Sequence, residues 1–244
     1  MTDTTSEKPP RRPLQLTSDN SRRVRITRWI LRLIGDLIFV KTTCKVTVTG
    51  LERFPRTGPT IMIFNHANMV DPIMAGAPVR FRDNIPIGKE ELSHRIPFNW
   101  IIWGWDSIPI RRGELDMTAL RRALMVLESS DFLTIAPEGH RNPDGLSTPK
   151  EGFVMLAARA NAVVVPCGVS GAEKFTYNIR RLRRTPVTVN YGRPLRLKGK
   201  ITRQQYMEAA HEFMYQIAAL VAPDRRGDYA DLSQATMNLI EYAD

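Results

Sequence analysis

A histidine and an aspartate five positions apart, in the run Asn65-His66-Ala67-Asn68-Met69-Val70-Asp71-Pro72, are the residues of this chain best suited to proton transfer. A neutral imidazole takes a proton from a hydroxyl or a water near neutral pH. A carboxylate at its other ring nitrogen fixes the tautomer and stabilises the imidazolium that forms. The run follows Thr60-Ile61-Met62-Ile63-Phe64, so His66 is expected at the end of a buried strand. On a continuous helix the offset would set the two side chains about 140° apart, at ~100° per residue. They meet only if the backbone turns between them, and Pro72 favours this by disfavouring a helical Asp71. The alternative is structural: His66 closes a strand, and Asp71 caps a helix that opens at Pro72 and runs to about Ala77. Both can hold for Asp71, which has two oxygens.

Two further segments carry groups that bind anions. Arg111 and Arg112 follow Ser107-Ile108-Pro109-Ile110. Guanidinium groups grip phosphate in a fork that lysine cannot make, although an arginine pair at a strand end is often only a solvated edge. Pro137-Glu138-Gly139-His140-Arg141 closes another apolar strand and opens a loop rich in Gly, Pro and Asn. There Gly139 permits a sharp turn or a close approach to ligand. Arg141 can bind phosphate, with Glu138 holding it or meeting the substrate, and His140 is a second candidate base. His94 and His211 have no evident partner in the sequence. Trp100, Trp103 and Trp105 can line an apolar tunnel, sit at a membrane interface or fill a core.

The elements that must position these groups alternate in type. Strands are expected at 45–50, 60–64, 85–88, 108–110, 132–136, 163–167 and 187–191. Helices are expected at 22–39, 72–77, 91–104, 116–129 (with a basic side at Arg121 and Arg122), 152–160, 202–221 and 232–242. That order implies an α/β fold, a sheet covered by helices on both faces. Ligands of such sheets gather beyond the carboxyl ends of the strands. Asn65, Arg111 and Glu138 all begin at such ends, so the three segments are expected to converge.

The formal net charge of +10 points to an anionic partner, such as a phospholipid surface, a nucleic acid, a nucleotide-bearing cofactor or an acidic carrier protein. Residues 1–20 are polar and are expected to be a disordered tail. Residues 21–42 combine a broad apolar stripe and Trp29 with five arginines, the composition of a helix lying in a bilayer interface; an ordinary surface helix is the alternative. The apolar run there is broken by Arg32 and Asp36 and is too short to span a bilayer, which takes about 20 apolar residues. It also lacks the cleavage site of a secretory signal. Ile179-Arg180-Arg181-Leu182-Arg183-Arg184 is the densest basic stretch and suits lipid head groups. It has no accompanying nucleic-acid-binding motif, and no nucleic-acid partner is expected. Cys44 and Cys167 lack metal-ligand spacing and are expected to be reduced and structural, in a cytosolic setting.

Taken in order, these blocks resemble the lysophospholipid acyltransferase family, typified by the 1-acyl-sn-glycerol-3-phosphate acyltransferases. The family's first block, a histidine and an aspartate with four residues between them, is matched from Asn65 to Asp71. Its second, an arginine after alternating apolar residues, is matched by Ile108-Pro109-Ile110-Arg111-Arg112, with Arg112 in the arginine position and Arg111 as a departure where an acidic or variable residue is usual. Its third, usually Pro-Glu-Gly-Thr-Arg, is present as Pro137-Glu138-Gly139-His140-Arg141, with His140 as a departure. Its fourth is Val165-Pro166, and Lys150-Glu151-Gly152-Phe153 is similar to a family segment that follows the third block.

The resemblance spans about residues 45–195. It implies a mostly parallel central sheet flanked by helices, of the glycerol-3-phosphate acyltransferase type, over residues 43–244. It further implies acyl transfer from a coenzyme A or acyl-carrier-protein thioester to a lysophospholipid hydroxyl. His66 is then the general base and Asp71 its orienting partner. Arg111, Arg112, Glu138, Gly139 and Arg141 bind the acceptor, while Asn65, Val165 and Pro166 support the motif. No metal, bound cofactor or covalent acyl-enzyme is required. The expected location is peripheral, on the cytoplasmic face of an anionic membrane. An acyltransferase acting on another lyso-lipid, an amino-lipid or a glycolipid, a non-catalytic lipid-binding protein and, on charge alone, a nucleic-acid-binding protein are the alternatives.

Overall fold

The computed structural model of the chain describes residues 22–89, 107–110, 116–129 and 131–243. The expected tail at 1–20, the helix at 91–104, His94, the three tryptophans at 100, 103 and 105, and both Arg111 and Arg112 lie outside the described residues.

The sheet is built from β1 (Cys44–Thr49), β2 (Thr60–Phe64), β3 (Asn84–Lys89), β4 (Ile108–Ile110), β5 (Phe132–Ile135), β6 (Val163–Ser170), β7 (Thr185–Tyr191), β8 (Leu195–Leu197) and β9 (Ile240–Tyr242). The main path runs β1-β7-β6-β2-β5-β3-β4. Pairing is parallel along it except between β6 and β7. β8 continues that antiparallel edge of β6, with Val164 opposite Leu195, and β9 pairs antiparallel with β8. Among the described residues the α-helices are α1 (Arg22–Gly35), α2 (Asp71–Gly76), α3 (Met117–Glu128), α4 (Gly152–Ala160), α5 (Phe175–Ile179) and α6 (Tyr206–Ala218).

β2 lies between β5 and β6, and all five of its residues are buried. Its continuous apolar run is what a parallel strand covered on both faces requires. Ile61 and Ile63 pack into a core that also holds Leu127, Val154, Phe213 and Ile217 from α3, α4 and α6. Met62 and Phe64 pack on the other side with Met74 and Ala75 of α2 and with Phe54, Val187 and Tyr191. At the amino end of β2 the buried guanidinium of Arg82 donates to the carbonyls of Pro55, Gly58 and Asp131 and to the Thr60 hydroxyl, at 2.7–3.1 Å. This single side chain closes one end of the central strands.

Several expectations are corrected. The first helix does not stop at 39. It passes into a wider, π-helical segment, Asp36–Thr43, in which the Thr42 hydroxyl donates to the Leu37 carbonyl 2.6 Å away. Arg122 is not on a solvated basic side. It shares the inner face of α3 with Ala119, Ala123 and Val126, and it is buried with its guanidinium toward the Ser107 carbonyl. The final segment is not a helix over 232–242. The buried carboxylate of Glu212 on α6 accepts from the Thr236 hydroxyl and from the N–H groups of Asn238, Leu239 and Ile240. The chain is thereby held extended and joins the sheet as β9. The helix expected over 202–221 spans Tyr206–Ala218; Thr202 instead closes the short 3-10 turn Arg203–Gln205 that leads into it, its N–H donating to the Gln205 side chain at 2.9 Å.

Candidate active site

The site forms at the carboxyl ends of β2, β5 and β6, where the sheet's parallel strands leave unpaired ends and loops. Asn65, the first residue beyond β2, is buried. Its side-chain amide donates to the Val169 carbonyl (2.8 Å), and its oxygen accepts from the Val169 N–H (2.7 Å). The amide acts as one more backbone rung between β2 and β6, and so fixes where the next residue begins its loop. That residue is His66. Its Nδ1 is buried and lies 3.5 Å from Oδ2 of Asp71. The side chain as a whole is 19% exposed, so the accessible part of the ring lies away from Nδ1. The separation is longer than a hydrogen bond, and such pairs tighten when substrate closes a site.

Asp71 does not cap α2 as expected. Val70 occupies the cap position, Asp71 is the first helical residue, and Pro72 follows within the helix. The turn that brings His66 and Asp71 together is made by residues 66–70 instead. Asp71 Oδ2 organises that turn, accepting the N–H groups of Ala67 (2.7 Å) and Asn68 (2.5 Å). A carboxylate that collects two N–H groups while facing an imidazole is held in one orientation.

The loop after β5 meets the loop after β2 directly: the Asn142 N–H donates to the His66 carbonyl at 2.7 Å. Glu138, expected to touch substrate or Arg141, is buried beneath these loops. Its Oε2 accepts the N–H (3.1 Å) and the hydroxyl (2.9 Å) of Ser147. Burial pushes its carboxyl pKa up, against the opposing pull of Ser147, the His66 backbone and the charge of His140. Glu138 therefore fastens the two loops together, and sequence reasoning missed this because the partner lies nine residues downstream. Gly139 has φ +71°, the left-handed turn expected of it. Arg141 is exposed and forms no hydrogen bond or ion pair with the described residues, so its charge is free for a ligand. His140 is exposed, with Nδ1 2.9 Å from the Glu138 carbonyl. Val165 and Pro166 lie in β6 opposite Met62 and Ile63, as buried support. His211, without an evident partner in the sequence, has Nδ1 2.7 Å from the Tyr229 hydroxyl. Cys167 is fully buried behind the site. Burial and the charge of Asp71 push its thiol pKa up, which leaves it no nucleophilic thiolate. Cys44 is also a free, buried thiol.

The raised pKa of Glu138 has a measurable consequence. A carboxyl with its folded pKa above the unfolded one contributes stability below the unfolded pKa and loses it as pH rises through the folded value. Glu138→Gln cannot ionise. The stability advantage of the wild type over this variant should be largest in acid and shrink as pH rises from about 4.5. Denaturant midpoints across pH 4–8 measure it, and a pH-independent difference would place the carboxyl in the ordinary range.

A mostly parallel sheet with a histidine–aspartate pair at its carboxyl edge, beside a loop that exposes Arg141, fits an α/β acyltransferase, and this chain belongs to the Acyltransferase family, whose model matches residues 45–170. The match runs from β1 through β6 and includes every described residue of the site. The human 1-acyl-sn-glycerol-3-phosphate acyltransferase alpha is 30% identical over 152 residues, covering 60% of this chain and 53% of that protein. An uncharacterized protein of Mycobacterium tuberculosis is 28% identical over 151 residues, covering 56% of this chain and 40% of its own length. The aligned region thus spans about half or less of these relatives. The crystal structure of PlsC, the 1-acyl-sn-glycerophosphate acyltransferase of Thermotoga maritima, matches with a TM-score of 0.59 at 26% identity, over 78% of this chain and 77% of that one. The fold and family expected from the four sequence blocks are borne out.

Proposed function

We propose that the chain transfers a fatty acyl group from a thioester to the free hydroxyl of 1-acyl-sn-glycerol-3-phosphate, giving phosphatidic acid. The observation that carries this reading is the buried face of His66 set against Asp71 at the carboxyl end of β2, within a family match whose named relatives use that acceptor. His66 takes the hydroxyl proton with its accessible nitrogen. The acceptor oxygen attacks the thioester carbonyl carbon, the carbon–sulfur bond breaks, and the imidazolium returns the proton to the departing thiolate. Asp71 holds the tautomer and offsets the imidazolium charge. Arg141, with Arg112 and Arg111, binds the acceptor phosphate, and Gly139 lets that loop approach it. Glu138 acts from below, by keeping the His66 and Arg141 loops together.

The donor is an acyl-coenzyme A or an acyl carrier protein, both anionic and suited to a chain of net charge +10. The protein works on the cytoplasmic face of an anionic membrane. Among the described residues no helix is long and apolar enough to cross one. α1 and the π-helical segment instead leave Ile26, Trp29, Ile30, Leu33, Ile34, Leu37 and Ile38 exposed, an apolar surface that an interface would cover.

The test is mass spectrometry of the lipids formed when the pure protein is given a panel of lyso-lipids and both donors on vesicles. Phosphatidic acid should dominate with lysophosphatidate. Acylation of an uncharged or zwitterionic lyso-lipid in preference would move the acceptor assignment within the family. Vesicle binding without any thioester consumption would make the protein a lipid binder rather than an enzyme.

A further inference from the structure

The chain between α5 and β7 carries a feature that acyl transfer does not use. Leu182 is 96% exposed, the most exposed large apolar side chain of the described residues. Its φ is +53°, a left-handed conformation that disfavours any residue with a Cβ and that usually falls to glycine where a helix ends. A leucine here is doubly unfavourable in water, since it strains the backbone and leaves its side chain wet.

The turn around it is nevertheless well built. The N–H groups of Arg181 and Arg183 both donate to the Asn178 carbonyl (2.9 and 3.0 Å), and the Leu182 N–H donates to the Ile179 carbonyl (3.0 Å). The Asn178 amide donates to the Thr185 hydroxyl at the base of the turn. Arg184 donates through Nε and Nη2 to the Cys44 carbonyl, which ties the turn to the point where the π-helical segment passes into β1. Leu182 is thus held out on a hydrogen-bonded support. Around it stand the exposed side chains of Arg180, Arg181 and Arg183, with Tyr177 and Ile179 half-exposed beside them. The Arg181 guanidinium lies 3.7 Å above the Tyr177 ring, which steadies both.

We propose that this turn is a second membrane contact, separate from α1, in which Leu182 enters the acyl boundary of an anionic phospholipid bilayer while the arginines hold the surrounding phosphates. An apolar tip ringed by guanidinium groups complements such a surface in both layers, apolar below and anionic above. A nucleic acid would use the arginines and leave the leucine without a role. The site described above does not depend on this turn, and the two are tested apart.

The two native cysteines are fully buried, so Leu182→Cys accepts an environment-sensitive fluorophore at one position. On vesicles of phosphatidylcholine with about a third phosphatidylglycerol, the emission of the labelled full chain should shift to the blue and be quenched by lipid-attached quenchers. A second variant separates membrane contact from folding. Leu182→Gly relieves the left-handed backbone, so its melting temperature should hold or rise. Its partitioning to the same vesicles should nevertheless fall by roughly five- to tenfold, from the apolar area withdrawn from the bilayer. Its turnover of a short-chain, vesicle-free lysophosphatidate should be unchanged. The proposal is overturned if the fluorophore stays wet on vesicles that sediment with the protein, if the protein does not bind the vesicles, if Leu182→Gly binds them as the wild type does, or if the emission responds to duplex RNA and not to lipid. Loss of vesicle binding in Leu182→Gly with no turnover in either protein would retain this contact and refute acyl transfer.

Discussion

His66→Ala should lower the rate of thioester consumption with lysophosphatidate by about 10²–10⁴-fold, the range that general-base assistance supplies. The loss belongs to the chemical step, because the ring makes no hydrogen bond to the described protein at Nδ1. The structural bond at this position belongs to the backbone: the His66 carbonyl accepts the Asn142 N–H whatever the side chain. Circular dichroism and the denaturant midpoint should therefore stay close to those of the wild type, and the KM for the acceptor should change far less than kcat. A variant that folds normally and turns over at near the native rate would remove His66 from the mechanism.

Replacing Asp71 should injure both chemistry and fold, in proportions that distinguish its two duties. Its Oδ2 faces the imidazole and also accepts the Ala67 and Asn68 N–H groups, in a position only 1% exposed. Asp71→Asn keeps a carbonyl oxygen for those N–H groups but removes the charge that offsets an imidazolium, so kcat should fall by about 10²–10⁴-fold. Its stability should fall by only about 1 kcal/mol. Asp71→Ala removes the acceptor as well and leaves buried N–H groups unpaired, at a further cost of about 1–3 kcal/mol. Stopped-assay turnover and urea unfolding on both variants measure the split. Full activity in Asp71→Asn would mean that the carboxylate serves the loop alone.

Those two residues were legible in the sequence because their chemistry and spacing are local. The apolar run at 60–64 located the strand, and the turn that follows could hold a base beside a carboxylate. What the sequence did not show is which side chains act across distance. Asn65 reads as a support of the motif at a strand end, but the sequence does not name what it holds: Val169, far along the chain, supplies both its partners. Glu138 reads as a substrate ligand because it neighbours Arg141, yet Ser147 draws its carboxylate inward. The sequence reads as a helix over 232–242, where the chain forms β9 from Ile240 to Tyr242. The four donors collected by Glu212 override that local pattern, as tertiary bonds commonly override propensity. Arg121 and Arg122 read together as the basic side of one helix, yet Arg122 is buried. Helical spacing from Ala119 and Val126 puts it on the inner face.

The buried guanidinium of Arg82 fastens one end of β2, and His66 emerges from the other, five strand residues away. At about 3.3 Å per residue the two lie on the order of 16 Å apart along one rigid rod. The anchor and the proposed base thus sit at opposite poles of the same segment. In the proposed mechanism, substitutions around His66 that suit other acceptors leave the Arg82 anchor untouched, which gives this scaffold room to diversify.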